Sequence, residues 1–329
     1  MAYTDNYARP INYLRVSVTD LCNLRCVYCM PEGGVPKLAH DDVLRFEEIV
    51  RIVRLAVEMG IVHVRLTGGE PLARKGIAEL VADLAHIPGL DDLSMTTNGT
   101  LLREHAGPLA RAGLGRVNVS LDTLRPERFR HITRRGELAD VLTGREAALD
   151  AGLRPVKVNV VVVRGMNDDE VVDLARLTLE PDWHIRFIEV MPLGKQTYWS
   201  GNGVVSSGEA RARVEAALGP LTAVHGAGEG VGPARYYQLP GAAGTLGFIS
   251  PITEHFCYAC NRLRLTADGR LLPCLLSNIA IDLRTPLRAG ASDADLGALL
   301  LKAIASKPQR HHLAENALSQ SIPMSQIGG

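Results

Sequence analysis

The chain has 329 residues, 46% of them hydrophobic and 22% charged, a globular composition long enough for two domains of ~150 residues or one barrel-sized domain with an appendage. Its 36 Lys and Arg balance 36 Asp and Glu, which excludes a protein whose main business is coating nucleic acid or an anionic membrane but leaves room for a local basic pocket. Residues 1–10 carry Asp5 and Arg9 and no apolar segment, and no apolar run reaches ~18 residues, so a cytoplasmic chain without a membrane span is expected.

From residue 11 to about 191, short β-branched runs alternate with segments of helical period, the mark of βα units. The strand candidates are Tyr13–Val18, Val62–Thr67, Leu93–Thr97, Val117–Leu121, Val156–Val163 and Ile185–Val190. Between the first two, Phe46, Ile49, Val50, Val53, Ala56 and Val57 line one face of a helix that Gly60 stops. Asn167 stands three positions before Glu170 as a capping residue for a helix over Val171–Leu177. Six parallel strands fall short of the closed eight-stranded barrel, which needs ~250 residues, so the expected fold is α/β: an incomplete (βα)6 barrel of parallel strands over 1–191, with a C-terminal α+β extension over 192–329 closing the open side.

The extension reads as glycine-rich loops with one helix over Gly208–Leu218 up to about Gly247. A strand pair follows, Arg262–Thr266 and Arg270–Pro273, joined at Asp268-Gly269, then a helix near Asp295–Ala305.

Six cysteines form two groups of three, Cys22, Cys26, Cys29 and Cys257, Cys260, Cys274, a clustering that suits metal ligation better than disulfides. The first group follows the first strand, where βα proteins place their chemistry. Three thiolates without a near fourth ligand suit a [4Fe-4S] cluster with one open iron; a zinc site completed by His63 or His131 is the alternative. The second group has a knuckle spacing, open to a second cluster or to a zinc site completed by His255.

Gly68-Gly69-Glu70-Pro71 ends the second strand, where two glycines let a ligand approach the backbone and Glu70 offers a carboxylate to an ammonium group. Thr96-Thr97-Asn98-Gly99 and Ser120-Leu121-Asp122 end the next two strands with polar groups that serve equally as helix caps. Cations interrupt apolar strands at Arg15, Arg65, Lys157 and Arg186, and Arg262 and Arg264 share one face of an extended segment. As a set they call for an anionic ligand such as a polyphosphate.

The Cys-x3-Cys-x2-Cys spacing with Tyr28 before the last cysteine resembles the cluster motif of radical S-adenosylmethionine enzymes, and the Gly-Gly-Glu-Pro segment is similar to their amine-binding motif. From about Tyr7 to Gly329 the pattern resembles the GTP 3′,8-cyclases of molybdenum-cofactor biosynthesis, the MoaA family. It is carried by Leu14 to Asp20, Thr67 to Leu72, Asn118 to Asp122, Val156 to Asn159, Arg186 to Glu189, Phe256 to Thr266 and the closing Gly-Gly.

The resemblance implies two [4Fe-4S] clusters. Cys22, Cys26 and Cys29 would hold the one that cleaves S-adenosylmethionine, with Tyr28, Gly69, Glu70, Ser120 and Met191 at the cofactor. Cys257, Cys260 and Cys274 would hold the other, against the guanine base. Arg15, Arg65, Thr96, Lys157, Arg262 and Arg264 match GTP-contacting positions with Arg186 nearby, and Arg262, Arg264 and the tail glycines Gly328 and Gly329 would serve catalysis.

The implied reaction removes the ribose 3′ hydrogen of GTP and joins C3′ to C8, a lyase step giving 3′,8-cyclo-7,8-dihydro-GTP with 5′-deoxyadenosine and methionine as co-products. Implied partners are an electron donor and a downstream cyclic pyranopterin monophosphate synthase, without nucleic acid or membrane, for a monomer or homodimer. Two departures from the family pattern, Tyr7-Ala8-Arg9 and the basic Arg134-Arg135-Gly136, are expected to touch no ligand. The rival readings are a peptide-modifying enzyme of the same superfamily and a zinc-binding scaffold.

Overall fold

A computed structural model describes residues 3–191, 203–224, 232–311 and 324–327. Strands β1 (Tyr13–Ser17), β2 (His63–Thr67), β3 (Asp92–Thr97), β4 (Arg116–Ser120), β5 (Lys157–Val162) and β6 (His184–Glu189) pair in parallel in that order. Helices α1 (Phe46–Glu58), α2 (Ile77–Ala85), α3 (Leu102–Arg111), α4 (Pro126–Thr133), α5 (Leu138–Asp150) and α6 (Val171–Arg176) fall between them. The face of α1 read from its period is buried through Ile49, Val53, Ala56 and Val57, and the Glu48 carboxylate accepts the Arg45 amide at 2.7 Å to close its first turn.

The C-terminal residues lengthen this wall at both edges. Strand β9 (Thr245–Ile249) pairs in parallel with β6, and β10 (Arg262–Leu265) in parallel with β1. Antiparallel β8 (Arg235–Gln238) and β7 (Thr222–Ala223) flank β9, while β11 (Arg270–Leu272) and β12 (Ile281–Asp282) flank β10. The twelve-stranded sheet runs from β12 to β7 without its edges meeting, an incomplete barrel. Helices α7 (Ser207–Leu218), α8 (Arg284–Arg288), α9 (Asp293–Ala305) and α10 (Met324–Ile327) complete the described elements.

Two expectations are corrected. The stretch up to Gly247 is more than loops and a helix, since it supplies β7, β8 and most of β9. Asn167 makes no side-chain cap: its amide donates to the Asp122 and Val161 carbonyls at 2.7 and 2.9 Å, and its Oδ1 accepts the Val163 amide at 2.8 Å. It ties the end of β5 to the loop after β4, and α6 stops at Arg176, with a 3-10 turn following.

Candidate active site

The cysteine groups occupy opposite ends of the barrel. Cys22, Cys26 and Cys29 follow the carboxyl end of β1; Cys257 and Cys260 precede the amino end of β10, and Cys274 follows antiparallel β11 at that same amino end.

In the first loop the Cys22 sulfur accepts from the Leu24 amide at 3.4 Å and from Asn98 Nδ2 at 3.9 Å. Burial pushes the Cys29 thiol up to about 12 and raises Cys26 well above the thiol range, with the neighbouring cysteines adding to both. Three crowded thiols with raised pKa values become thiolates once bound iron supplies the compensating charge, so the donor set fits an iron–sulfur cluster.

Tyr28 donates to Asp122 at 2.5 Å, while burial lifts the Asp122 carboxyl to about 6 and the Tyr28 phenol further above its usual range. Asp122 also accepts the Val161 amide at 2.8 Å, so Tyr28 is fixed from two strands. Ser120 ends β4 opposite Asn159.

The glycines after β2 pack differently from expectation. A Cβ on Gly69 would stand 2.2 Å from the Leu21 carbonyl oxygen and one on Gly68 2.6 Å from that of Thr19, so what approaches closely is the cysteine loop itself. The Gly69 and Glu70 amides donate to the Thr19 and Leu21 carbonyls at 2.8 and 2.7 Å. The Glu70 carboxylate, 1% exposed, accepts from the Leu72 amide, the Thr97 hydroxyl and the Asn98 amide at 3.0, 2.7 and 2.7 Å, and burial raises it to about 7. Its side chain clamps β2 to β3 rather than standing open for an ammonium. Asn98 does not cap α3, whose N-cap Leu101 has no side-chain bond; its Oδ1 closes a turn on the Thr100 amide at 3.0 Å while its Nδ2 donates toward Cys22.

Between the two ends lies a cavity of about 190 Å³. Register places Arg264, Arg15 and Arg65 side by side on β10, β1 and β2, and Asn159 beside Arg186 on β5 and β6. The described lining residues include eight cations, namely Arg15, Arg65, Arg116, Lys157, Arg186, Arg262, Arg264 and Lys307, and no carboxylate. Burial brings Arg65 and Arg264 down to about 10 and also lowers Arg15 well below the usual guanidinium range, with Arg264 and Arg65 repelling it from either side. Arg15 Nε, Arg186 Nε, Thr96 Oγ1 and Asn159 Oδ1 are buried without a hydrogen-bond partner. Arg116 is paired with Asp92 at 2.5 Å; the rest of the layer favours an anion between its members.

Cys257, Cys260 and Cys274 also face this cavity. Burial raises Cys260, but Arg262 and Lys307 outweigh it and hold the thiol at about 6, close to the anionic form a cluster requires. Among the described residues no three His, Cys, Asp or Glu side chains gather around one metal ion. His63 lies against Tyr13 and Asp92, and His255 packs on His311 with ring centroids 5.5 Å apart.

Met191 and Met324 line the cavity, and Ile327 at the end of α10 is fully buried. Gly328 and Gly329 lie outside the described residues. Of the two departures from the family pattern, the first stands beside Arg9, which the pattern keeps and which reaches Cys257, and the second reaches main chain next to the first cysteine loop but none of the expected ligand residues. Arg9 donates to the Cys257 carbonyl at 2.6 Å, and Arg134 donates to the Arg25 and Met30 carbonyls, each at 3.0 Å.

Lining residues outside the expected site include Asn159 on β5, Arg116, Tyr236 and Lys307. Arg116 sits one residue before the expected strand and shares its in-strand cation signal. Tyr236, whose hydroxyl accepts from Lys157 at 3.2 Å, lies on the unforeseen β8, and Lys307 follows α9 with no pattern to mark it.

Residues 16–178 match the Radical SAM superfamily and residues 183–313 match Molybdenum Cofactor Synthesis C. The chain is 54% identical over 325 residues to the GTP 3′,8-cyclase of Pelotomaculum thermopropionicum and 55% identical over 326 residues to that of Heliobacterium modesticaldum, covering 99% of both chains each time. The chain belongs to the GTP 3′,8-cyclases. It is thereby a radical S-adenosylmethionine protein of molybdenum-cofactor synthesis. Streptococcus suis SuiB bound to S-adenosylmethionine shares its fold, with a TM-score of 0.59 at 14% identity over 88% of this chain and 67% of that one. No helix among the described residues is long and apolar enough to cross a membrane.

Proposed function

We propose that this chain is a lyase that uses S-adenosylmethionine and two [4Fe-4S] clusters to convert GTP to 3′,8-cyclo-7,8-dihydro-GTP, taking electrons from a separate donor and passing its product to a pyranopterin-forming synthase. The observation that carries the reading is the carboxylate-free layer of cations between two three-cysteine groups. When bound, S-adenosylmethionine and the cluster on Cys22, Cys26 and Cys29 supply the radical that removes the ribose 3′ hydrogen.

The chain's residues do the rest. Arg15, Arg65, Lys157, Arg186, Arg262 and Arg264 hold the triphosphate from β10, β1 and β2 and from β5 and β6 by charge-assisted hydrogen bonds. Thr96 Oγ1 and Asn159 Oδ1 offer unclaimed polar atoms to the nucleoside. Cys257, Cys260 and Cys274 would hold the second cluster at the amino end, where its open iron would be available to the base. The ribose then lies toward the first cysteine loop, where Tyr28, Gly69, Ser120 and Met191 hold the cofactor and Glu70 acts through the loop it clamps. Fixing both partners in one enclosure turns an encounter into a positioned step, and apolar walls such as Ile188 and Ile249 keep water and stray hydrogen donors away.

Cys274→Ala tests the division of labour. Anaerobically reconstituted, it should lose the cyclised product while retaining reductive cleavage of S-adenosylmethionine. Loss of both, with the spectrum of the first cluster intact, would contradict it.

A further inference from the structure

We propose that residues 307–311 form a strap that sets the geometry and charge of the second cysteine group, with Lys307 as its positioning residue. This rests on the reading that Cys257, Cys260 and Cys274 hold an iron–sulfur cluster.

Lys307 is 3% exposed. Its ammonium donates to the Arg262 carbonyl and the Pro273 carbonyl, both at 2.7 Å, and its charge acts on the nearby Cys260 thiol. Arg262 stands two residues after Cys260, and Pro273 immediately before Cys274, so one side chain spans both cysteine-bearing ends of the β10–β11 hairpin. The next two carbonyls, of Pro308 and Gln309, accept from Arg9 at 2.8 and 3.0 Å. The same guanidinium donates to the Cys257 carbonyl and is held by Asp5 at 2.6 Å. His311 closes the strap, its ring nitrogen Nε2 2.9 Å from the Pro251 carbonyl. Within five residues the strap thus reaches, directly or through Arg9, the segments bearing all three cysteines.

The carbonyls satisfy two of the ammonium's protons but not its charge, and an ion buried without an opposite charge is costly. A cluster ligated by thiolates is anionic and supplies that charge. Conversely, a buried cation beside a ligand thiolate favours the more reduced, more negative cluster, and its bonds to the carbonyls flanking the cysteines hold the ligand segments in place. Lys307 therefore raises the reduction midpoint of the second cluster and slows its loss.

The test uses the full chain with Cys22, Cys26 and Cys29 all changed to Ala, so that any iron belongs to the second group. Lys307→Met and Lys307→Arg are made in that background and reconstituted anaerobically. The measurements are iron release to a chelator and the midpoint followed by electron paramagnetic resonance. Lys307→Met should release iron about tenfold faster and show a lower midpoint, and Lys307→Arg, which keeps the charge, should restore most of the midpoint. A midpoint and release rate unchanged in Lys307→Met overturn the proposal, as does a Lys307→Arg midpoint as low as that of Lys307→Met. A background variant that binds no iron overturns the two-cluster reading itself, and the proposal with it.

Discussion

Arg15 shows how a single residue trades stability for binding. It lies in register between Arg264 and Arg65, its Nε has no partner, and burial together with the two neighbouring guanidiniums opposes its charge. Removing one of several like charges from a buried layer relieves repulsion, whereas removing a phosphate ligand forfeits a charge-assisted bond of roughly 1.5–3 kcal/mol. Arg15→Met should therefore raise the melting temperature of the ligand-free protein while weakening GTP binding roughly ten- to hundredfold, as read by calorimetry; a lower melting temperature with unchanged affinity would refute the assignment. Ala8 is the opposite case, a strained residue away from the cavity. Its φ is +60°, a left-handed conformation that a side chain disfavours by ~1–2 kcal/mol. Even after glycine's extra unfolded-state freedom, Ala8→Gly should stabilise by a few tenths to about 1 kcal/mol, raising the melting temperature by one to a few degrees. The strand cations were legible because a charge inside an apolar run stands out, and Cys, Tyr28 and the glycines because their spacing is distinctive. Lys307 and Tyr236 were not, since a lysine after a helix or a tyrosine in a loop-like stretch carries no periodic signal.

At the scale of elements, the turn after β2 serves the cysteine loop. Because a Cβ at Gly69 would meet main-chain oxygen at 2.2 Å, the loop cannot yield as a flexible side chain would. Gly69→Ala should displace it, so that the reconstituted protein holds about half the iron of wild type and loses S-adenosylmethionine cleavage while the second cluster's spectrum persists; full iron content would show that the loop tolerates the shift. The βα alternation made β1 to β6 readable, and the Asp268-Gly269 turn made the β10–β11 hairpin readable. The strands β8 and β9 were hidden by the glycines that make them possible. Gly247 stands in register with both Arg186 and Tyr236, and a Cβ there would lie 2.8 Å from Arg186 Cγ and 3.2 Å from the Tyr236 ring. Its missing side chain leaves room for the cation and the phenol, yet glycine in a sequence reads as loop. Asn167 misled in the same way, because a helix-cap pattern says nothing of a side chain that turns back onto two strands.

For the whole molecule, the decisive feature is the pairing of C-terminal strands with both edges of the N-terminal sheet. The six expected strands alone would leave the cation layer open on two sides. With β10 beside β1 and β9 beside β6, Arg264 joins Arg15 and Tyr236 reaches Lys157, and the second cysteine group is carried to the end of the barrel opposite the first. The sequence led to the expectation of an extension that closes the open side, but not to its strands pairing with both edges, because long-range strand pairing leaves no local trace. On the proposed reading, a substrate held by its base at the end with the second cysteine group and by its phosphates on the cation layer has its ribose between them, on the side of the base that faces the first cysteine loop. Anaerobic incubation with reductant, S-adenosylmethionine and GTP deuterated at C3′, followed by mass spectrometry, tests that placement most directly. The account predicts an isomer of GTP formed together with 5′-deoxyadenosine that has gained one deuterium. Unlabelled 5′-deoxyadenosine and unchanged GTP would contradict it.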